Sequence, residues 1–187
     1  MKVLIAVASK HGSTREIAAA IAATLRTHSL EVDLRTAADV DDVAGYDAVI
    51  IGSAIYAGQW LPEAKRFAKQ HAVQFAGQPI WLFSSGPLGT DDPQPHDDPQ
   101  KLVSELPGVA IRDHHIFVGK LDPADLGFGE RLIARMVHAP AGDFRDWAAV
   151  SDWASTIGAE LTRSVPSGAG GQSSARCADR VVGFTPR

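Results

Sequence analysis

The first two dozen residues constrain the chain most. Val3, Leu4, Ile5 and Val7 make Lys2 to Val7 nearly all aliphatic. A run with apolar residues at odd and even positions alike predicts a strand buried on both faces, as in a parallel sheet with helices on each side. Beyond it, Ile17, Ile21 and Leu25 recur every four residues beside Ala18 and Ala22, which predicts an amphipathic helix. Ser13 and Glu16 have capping-box spacing and place the helix start near Ser13. Between strand and helix stands Ala8-Ser9-Lys10-His11-Gly12-Ser13-Thr14. A turn of this kind aims backbone N–H groups and the positive end of a helix dipole at one spot, which suits a phosphate.

The loop lacks Gly-x-Gly-x-x-Gly and Gly-Lys-Ser/Thr, so it is neither a dinucleotide fingerprint nor a nucleoside-triphosphate loop. The spacing of Ser9, Gly12, Thr14, Ala18 and Ile21 resembles the flavodoxin signature, whose hydroxyls and amides wrap the 5′-phosphate of FMN. That resemblance assigns Ser9, Lys10, His11, Gly12, Ser13 and Thr14 to the cofactor. Read from the residues alone, an ordinary strand-to-helix turn with a Ser cap stays open. Val7 and Ala6 stand where the family usually carries an aromatic and a bulkier residue.

Further strands are expected at Leu30–Leu34, Asp47–Gly52, Pro79–Phe83 and Ala110–Val118, with helices at Leu61–Ala76 and Asp146–Thr162. A short helical turn is expected within 37–43 and another around 100–106. Leu121 to Gly142 reads as an extra segment, helical over 124–138, and 164–187 as a disordered tail rich in Gly, Ser and Ala. One domain, 1–163, therefore precedes the tail. Strands alternating with helices imply an α/β fold, a doubly wound five-stranded parallel sheet of order 2-1-3-4-5. In such a sheet the ligand lies beyond the carboxyl ends of the strands, at the switch point between the first and third.

Three loops meet at that edge. Besides 8–14 they are Ser53-Ala54-Ile55-Tyr56-Ala57-Gly58-Gln59-Trp60 and Ser84-Ser85-Gly86-Pro87-Leu88-Gly89. Tyr56 or Trp60 is placed to stack on a flat ring, and packing at the start of a helix is the alternative for Trp60. Backbone N–H groups of 84–89 are candidates for the edge of the same ring, and a plain Gly-Pro turn is the alternative.

Charge and composition narrow the partners. A net charge of −4 makes nucleic acid an unfavoured partner. No apolar run reaches the roughly 18 residues that span a bilayer, and the first residues read as a core strand rather than a signal peptide. The single cysteine, Cys177, excludes an intrachain disulfide and a multi-cysteine metal site. These features point to the cytoplasm. His114 and His115 are adjacent on a strand and face opposite ways, so they cannot share one ion. Asp91, Asp92, Asp97 and Asp98 read as a solvated acidic loop. A phosphoacceptor domain would need an acidic pair where Ser9 and Lys10 stand.

The resemblance is wider than the first loop. Ile50-Ile51-Gly52-Ser53-Ala54-Ile55-Tyr56-Ala57-Gly58, Lys65-Arg66-Phe67-Ala68-Lys69-Gln70-His71, and Gly142-Asp143-Phe144-Arg145-Asp146-Trp147 followed by Trp153 are similar to the flavodoxin-domain proteins of the menaquinone-dependent protoporphyrinogen dehydrogenase type. The resemblance covers about residues 1–163. It implies non-covalent FMN, a flavodoxin fold, an extra segment before the last helix, and electron transfer from a protoporphyrinogen-like small-molecule substrate to a quinone. A flavodoxin electron carrier docking to redox partner proteins and an NAD(P)H:quinone reductase are the alternatives; the carrier is disfavoured by the modest negative charge, since docking of that kind depends on strong acidity. Asp143 or Asp146 is expected to cap the last helix, and Trp147 and Trp153 to pack it on the sheet. In the extra segment Arg131 and Arg135 share a helix face amid Leu126, Phe128, Leu132, Ile133, Met136 and Val137. That combination suits a flat apolar substrate carrying carboxylates, or brief contact with an anionic membrane surface at its inner face; a simple cover for the sheet edge is the alternative.

Overall fold

Val3, Leu4, Ile5, Ala6 and Val7 are all fully buried, and both faces of the strand they form, β1 (Lys2–Ala8), are covered. The computed structural model describes residues 1–56, 58–86, 109–122, 124, 127 and 141–163. Outside the described residues lie Ala57, Pro87, Leu88, Gly89, the acidic loop over 91–98, the short helix over 100–106, Arg131, Arg135, nearly all of the helix over 124–138, and the tail 164–187 with Cys177.

After β1 come α1 (Ser13–Thr27), β2 (Glu31–Thr36), a 3-10 turn (Ala37–Asp39), β3 (Ala48–Tyr56), β4 (Gln59–Trp60) and α2 (Pro62–Gln70). Then follow β5 (Pro79–Ser85), β6 (Ala110–Phe117), β7 (Lys120–Leu121), β8 (Gly142–Asp143) and α3 (Trp147–Arg163). The long strands are ordered β2-β1-β3-β5-β6 and pair in parallel throughout. This is the 2-1-3-4-5 order expected for five strands, and β4 is a short addition that folds back antiparallel on the end of β3.

Strand alternation sorts the core into two layers. Val3, Ile5 and Val7 with Trp81 and Phe83 pack against α1 and α3. Leu4, Ala6 and Ala8 with Ile80 and Leu82 pack against α2 and the segment after β2. The sheet is thus doubly wound, and its carboxyl edge is left for the loops.

The departures from expectation have local causes. β3 runs past Gly52 to Tyr56 and turns at Gly58 (φ +77°) into β4, so 53–60 is a hairpin rather than a loop. α2 stops at Gln70, where the His71 N–H donates to the Phe67 carbonyl, and the chain continues in turns that bury Phe75. α3 opens at Asp146, whose Oδ1 accepts from the N–H groups of Ala148 and Ala149. Trp153 packs on the sheet against Phe83 and Phe117 and donates its indole N–H to Asp113 at 2.7 Å. Trp147 does not pack there; it is 42% exposed and lies under the Arg145 guanidinium.

Candidate functional site

The loop after β1 is shaped by two interactions. Ser9 Oγ accepts the Gly12 N–H at 3.1 Å, and Gly12 takes a left-handed φ of +85° that only glycine adopts without strain. α1 then starts at Ser13, as its spacing predicts, but not through a capping box. Among the described residues no side chain caps the helix, and Glu16 turns outward to Arg145 at 2.6 Å instead of back to the loop. Ser13 Oγ is left buried without a hydrogen-bond partner among the described residues.

A cleft of about 520 Å³, counted out to its open mouth, lies at the carboxyl ends of β1, β3, β5 and β6. Ser9, Lys10, His11, Ser13 and Thr14 line it from the first loop, with Gly12 shaping their turn. Ala54, Ile55 and Tyr56 line it from β3, and Ser85 and Gly86 from β5. Tyr56 is 39% exposed; Lys10 Nζ stands 4.3 Å over its ring, and the His11 ring lies 6.2 Å away. Of the two aromatics proposed to stack on a flat ligand, Tyr56 is therefore the one at the cleft. Trp60 is 7% exposed and packs into the α2 layer.

Other candidates face the fold. Ser53 is fully buried: its hydroxyl donates to the Ala54 carbonyl and accepts the Leu61 N–H, tying β3 to the start of α2. Ser84 Oγ accepts the Trp60 indole N–H at 2.8 Å and lies 2.8 Å from His114 Nε2. Burial lowers the His114 pKa, His115 adds to that, and Asp113 opposes it. Gly86 donates its N–H to the Phe117 carbonyl, so that N–H is engaged by the fold. Gly58 is spent on the β3–β4 turn. His114 and His115 do point to opposite faces, toward Ser84 and toward Trp153.

Sequence reasoning missed a fourth wall, Gly119, Lys120 and Leu121. It follows the last strand at the same edge, and the rule that ligands gather beyond strand carboxyl ends extends to it. β7 is held by β8, with Lys120 opposite Asp143 and the Phe144 N–H donating to the Gly119 carbonyl. Hydrogen bonds from Arg145 hold the Asp143 carboxyl at about 2.

The arrangement fits an anion bearing a flat ring. The first-turn N–H groups of a 15-residue helix lack intrahelical acceptors. The buried, unpartnered Ser13 hydroxyl and the buried Thr14 hydroxyl stand beside them. Among the described residues no group of three or more His, Cys, Asp or Glu is placed to hold a metal, and no helix is long and apolar enough to cross a membrane.

Fold and cleft together define a doubly wound α/β domain with a phosphate-type loop at its switch point. The flavodoxin-domain family matches residues 4–147, and the chain belongs to that family. FMN is accordingly its cofactor, and its chemistry is redox. Among solved structures, a flavodoxin from the domain Archaea superposes with a TM-score of 0.61 at 16% identity, covering 87% of this chain and 99% of that one. The flavodoxin of Streptococcus pneumoniae TIGR4 gives 0.58 at 19% identity, covering 88% and 100%. Among curated proteins, protoporphyrinogen IX dehydrogenase [quinone] of Escherichia coli K12 is 30% identical over 86 residues, 45% of this chain and 48% of the relative. The same figures hold for its counterpart in Escherichia coli O157:H7. The chain spans about half the length of the curated relatives it matches.

Proposed function

We propose that this chain is an FMN-dependent dehydrogenase that takes electrons from a protoporphyrinogen-like substrate and passes them to a quinone. The observation that supports the substrate and acceptor is the 30% identity to protoporphyrinogen IX dehydrogenase [quinone]. Ser9, His11, Gly12, Ser13 and Thr14 hold the FMN phosphate at the start of α1, and Tyr56 with Ser85 and Gly86 borders the ring. Bound FMN supplies the electron-accepting and electron-donating chemistry; the chain binds it, orients it and limits water. Lys10 and Lys120 set two cations at the cleft, which suits a substrate bearing carboxylates. The 121–142 segment, through Arg131 and Arg135, is the sequence candidate for substrate access.

In the overall reaction hydrogens leave the porphyrinogen as electrons and protons, and each electron pair with two protons makes one quinol. The test is anaerobic incubation of the FMN-loaded protein with protoporphyrinogen and a soluble naphthoquinone, following porphyrin fluorescence. Porphyrin formation that needs both protein and quinone is expected, with a slower rate for Arg131→Glu combined with Arg135→Glu. No rate above buffer would overturn the reading and leave a one-electron carrier as the better account.

A further inference from the structure

Arg145 is a charged side chain only 4% exposed. Burying a guanidinium is costly unless its donors are matched, and here all three of its nitrogens are engaged. Nε and Nη2 grip Asp143 at 2.8 and 2.6 Å, the two-toothed geometry peculiar to Arg. Nη1 reaches Glu16 at 2.6 Å and the Ser13 carbonyl at 3.5 Å. The plane stacks 4.4 Å from the Trp147 ring.

The partners belong to two different walls of the cleft. Ser13 and Glu16 form the first turn of α1, the turn that ends the phosphate loop. Asp143 is paired in register with Lys120, which lines another wall. One guanidinium thus holds both walls together. It also faces a carboxylate in the same helical turn as the loop. An acid in the first turn is ordinarily favourable to a helix, but beside a bound phosphate its charge is repulsive unless a cation covers it.

Resting on the reading that 9–14 holds the FMN phosphate, we propose that Arg145 is a positioning residue for that phosphate. It acts by neutralising Glu16 and by fixing the Gly119–Leu121 wall to the start of α1, without touching the cofactor itself. Removing it leaves Glu16 uncovered in the turn that ends the phosphate loop, while Asp143 still has Lys120 opposite it, so the loss falls on the phosphate rather than on the ring.

The test measures dissociation constants of FMN and of riboflavin, which lacks the phosphate, by quenching of flavin fluorescence. The parent protein should prefer FMN strongly. Arg145→Met should shrink that preference by about tenfold or more, the effect expected when one member of a close charge pair is removed. Riboflavin affinity should move by less than about threefold, and adding Glu16→Gln to Arg145→Met should restore most of the preference. Glu16→Gln alone keeps Arg145 on Asp143; it should tighten FMN at low salt and leave riboflavin unchanged, which keeps the question open to test if Arg145→Met does not fold. Equal losses for both flavins, an unchanged preference in Arg145→Met, or weaker FMN binding in Glu16→Gln would overturn the proposal. A parent protein that does not distinguish FMN from riboflavin would instead overturn the phosphate placement beneath it.

Discussion

Gly52 lies in the middle of β3 where a side chain has no room. A Cβ built there would stand 2.1 Å from Phe83 Cζ and 2.2 Å from Cε1. The Phe83 ring cannot retreat, because Phe117 and Trp153 pack around it. Gly52→Ala is therefore an overpacking substitution, expected to cost about 3 kcal/mol or more. In a domain of this size that lowers the melting temperature by roughly 6–12 °C, which calorimetry would register; an unchanged value would mean the Phe83 ring is free to move. His114 carries a second residue-scale effect. Its folded-state pKa is lowered, first by burial and then by His115, against the pull of Asp113. The unfolded chain then binds more protons than the folded one as pH falls through the ordinary histidine range. Stability is full above about 6.5 and declines below it. His114→Gln, which keeps a polar atom for Ser84, should show a smaller drop in urea midpoint between pH 7.5 and pH 5 than the parent, whereas equal drops would place the titration on other groups.

At the scale of elements the loop between β1 and α1 decides cofactor affinity. Ser9 holds the turn by accepting the Gly12 N–H, and Thr14, a residue only 1% exposed, lines the cleft. Ser9→Ala with Thr14→Ala removes hydrogen-bonding groups that a charged phosphate would use, each worth about 1.5–3 kcal/mol. FMN affinity should fall at least about a hundredfold while far-UV circular dichroism stays the same; an unchanged titration would move the phosphate elsewhere. This loop and the strands β1, β3 and β5 were legible because apolar runs and a four-residue repeat are strong local signals, and β2 because its apolar and charged residues alternate. The β3–β4 hairpin was not, since Tyr56-Ala57-Gly58-Gln59 has no alternation and its register depends on Trp60 finding the α2 layer. Nor was the true partner of Glu16. Capping-box spacing is local, but Arg145 comes from far along the chain and competes successfully for the carboxylate. Ser53 and Ser84 shared the loop edge in sequence with residues of the cleft, yet strand alternation turns their side chains toward Leu61 and Trp60. The Gly119–Leu121 wall carries no periodic signal and exists only through its pairing with 142–143.

For the whole molecule, α3 closes the layer that α1 begins. Val150, Trp153, Ala154, Ile157 and Leu161 all belong to the cluster that contains Val3, Ile5 and Val7. Gly158 lets the two helices approach, since a Cβ there would stand 2.6 Å from the His28 ring. The last buried side chain of that cluster is Leu161, and the turn that carries it is held by Thr162 donating to the Gly158 carbonyl and Arg163 to Ala159. The flavodoxin-domain match ends earlier, at residue 147, so α3 lies almost wholly beyond it while completing the same core. We propose that the fold is complete at Arg163 and that 164–187, with its Gly and Ser content, adds too little apolar surface to matter. Two truncations separate this from the alternative. A chain ending at Arg163 should melt within about 2 °C of the full chain, a shift equivalent to less than 1 kcal/mol, and should bind FMN equally well. A chain ending at Thr156 loses Ile157 and Leu161, each worth about 1.5–3 kcal/mol when buried, and exposes the α1 face they cover. The sum, about 3–6 kcal/mol, is a large part of the roughly 5–15 kcal/mol of an ordinary domain, so the shorter chain should melt roughly 6–24 °C lower. A large drop in melting temperature for the chain ending at Arg163 would show that residues 164–187 pack on the domain.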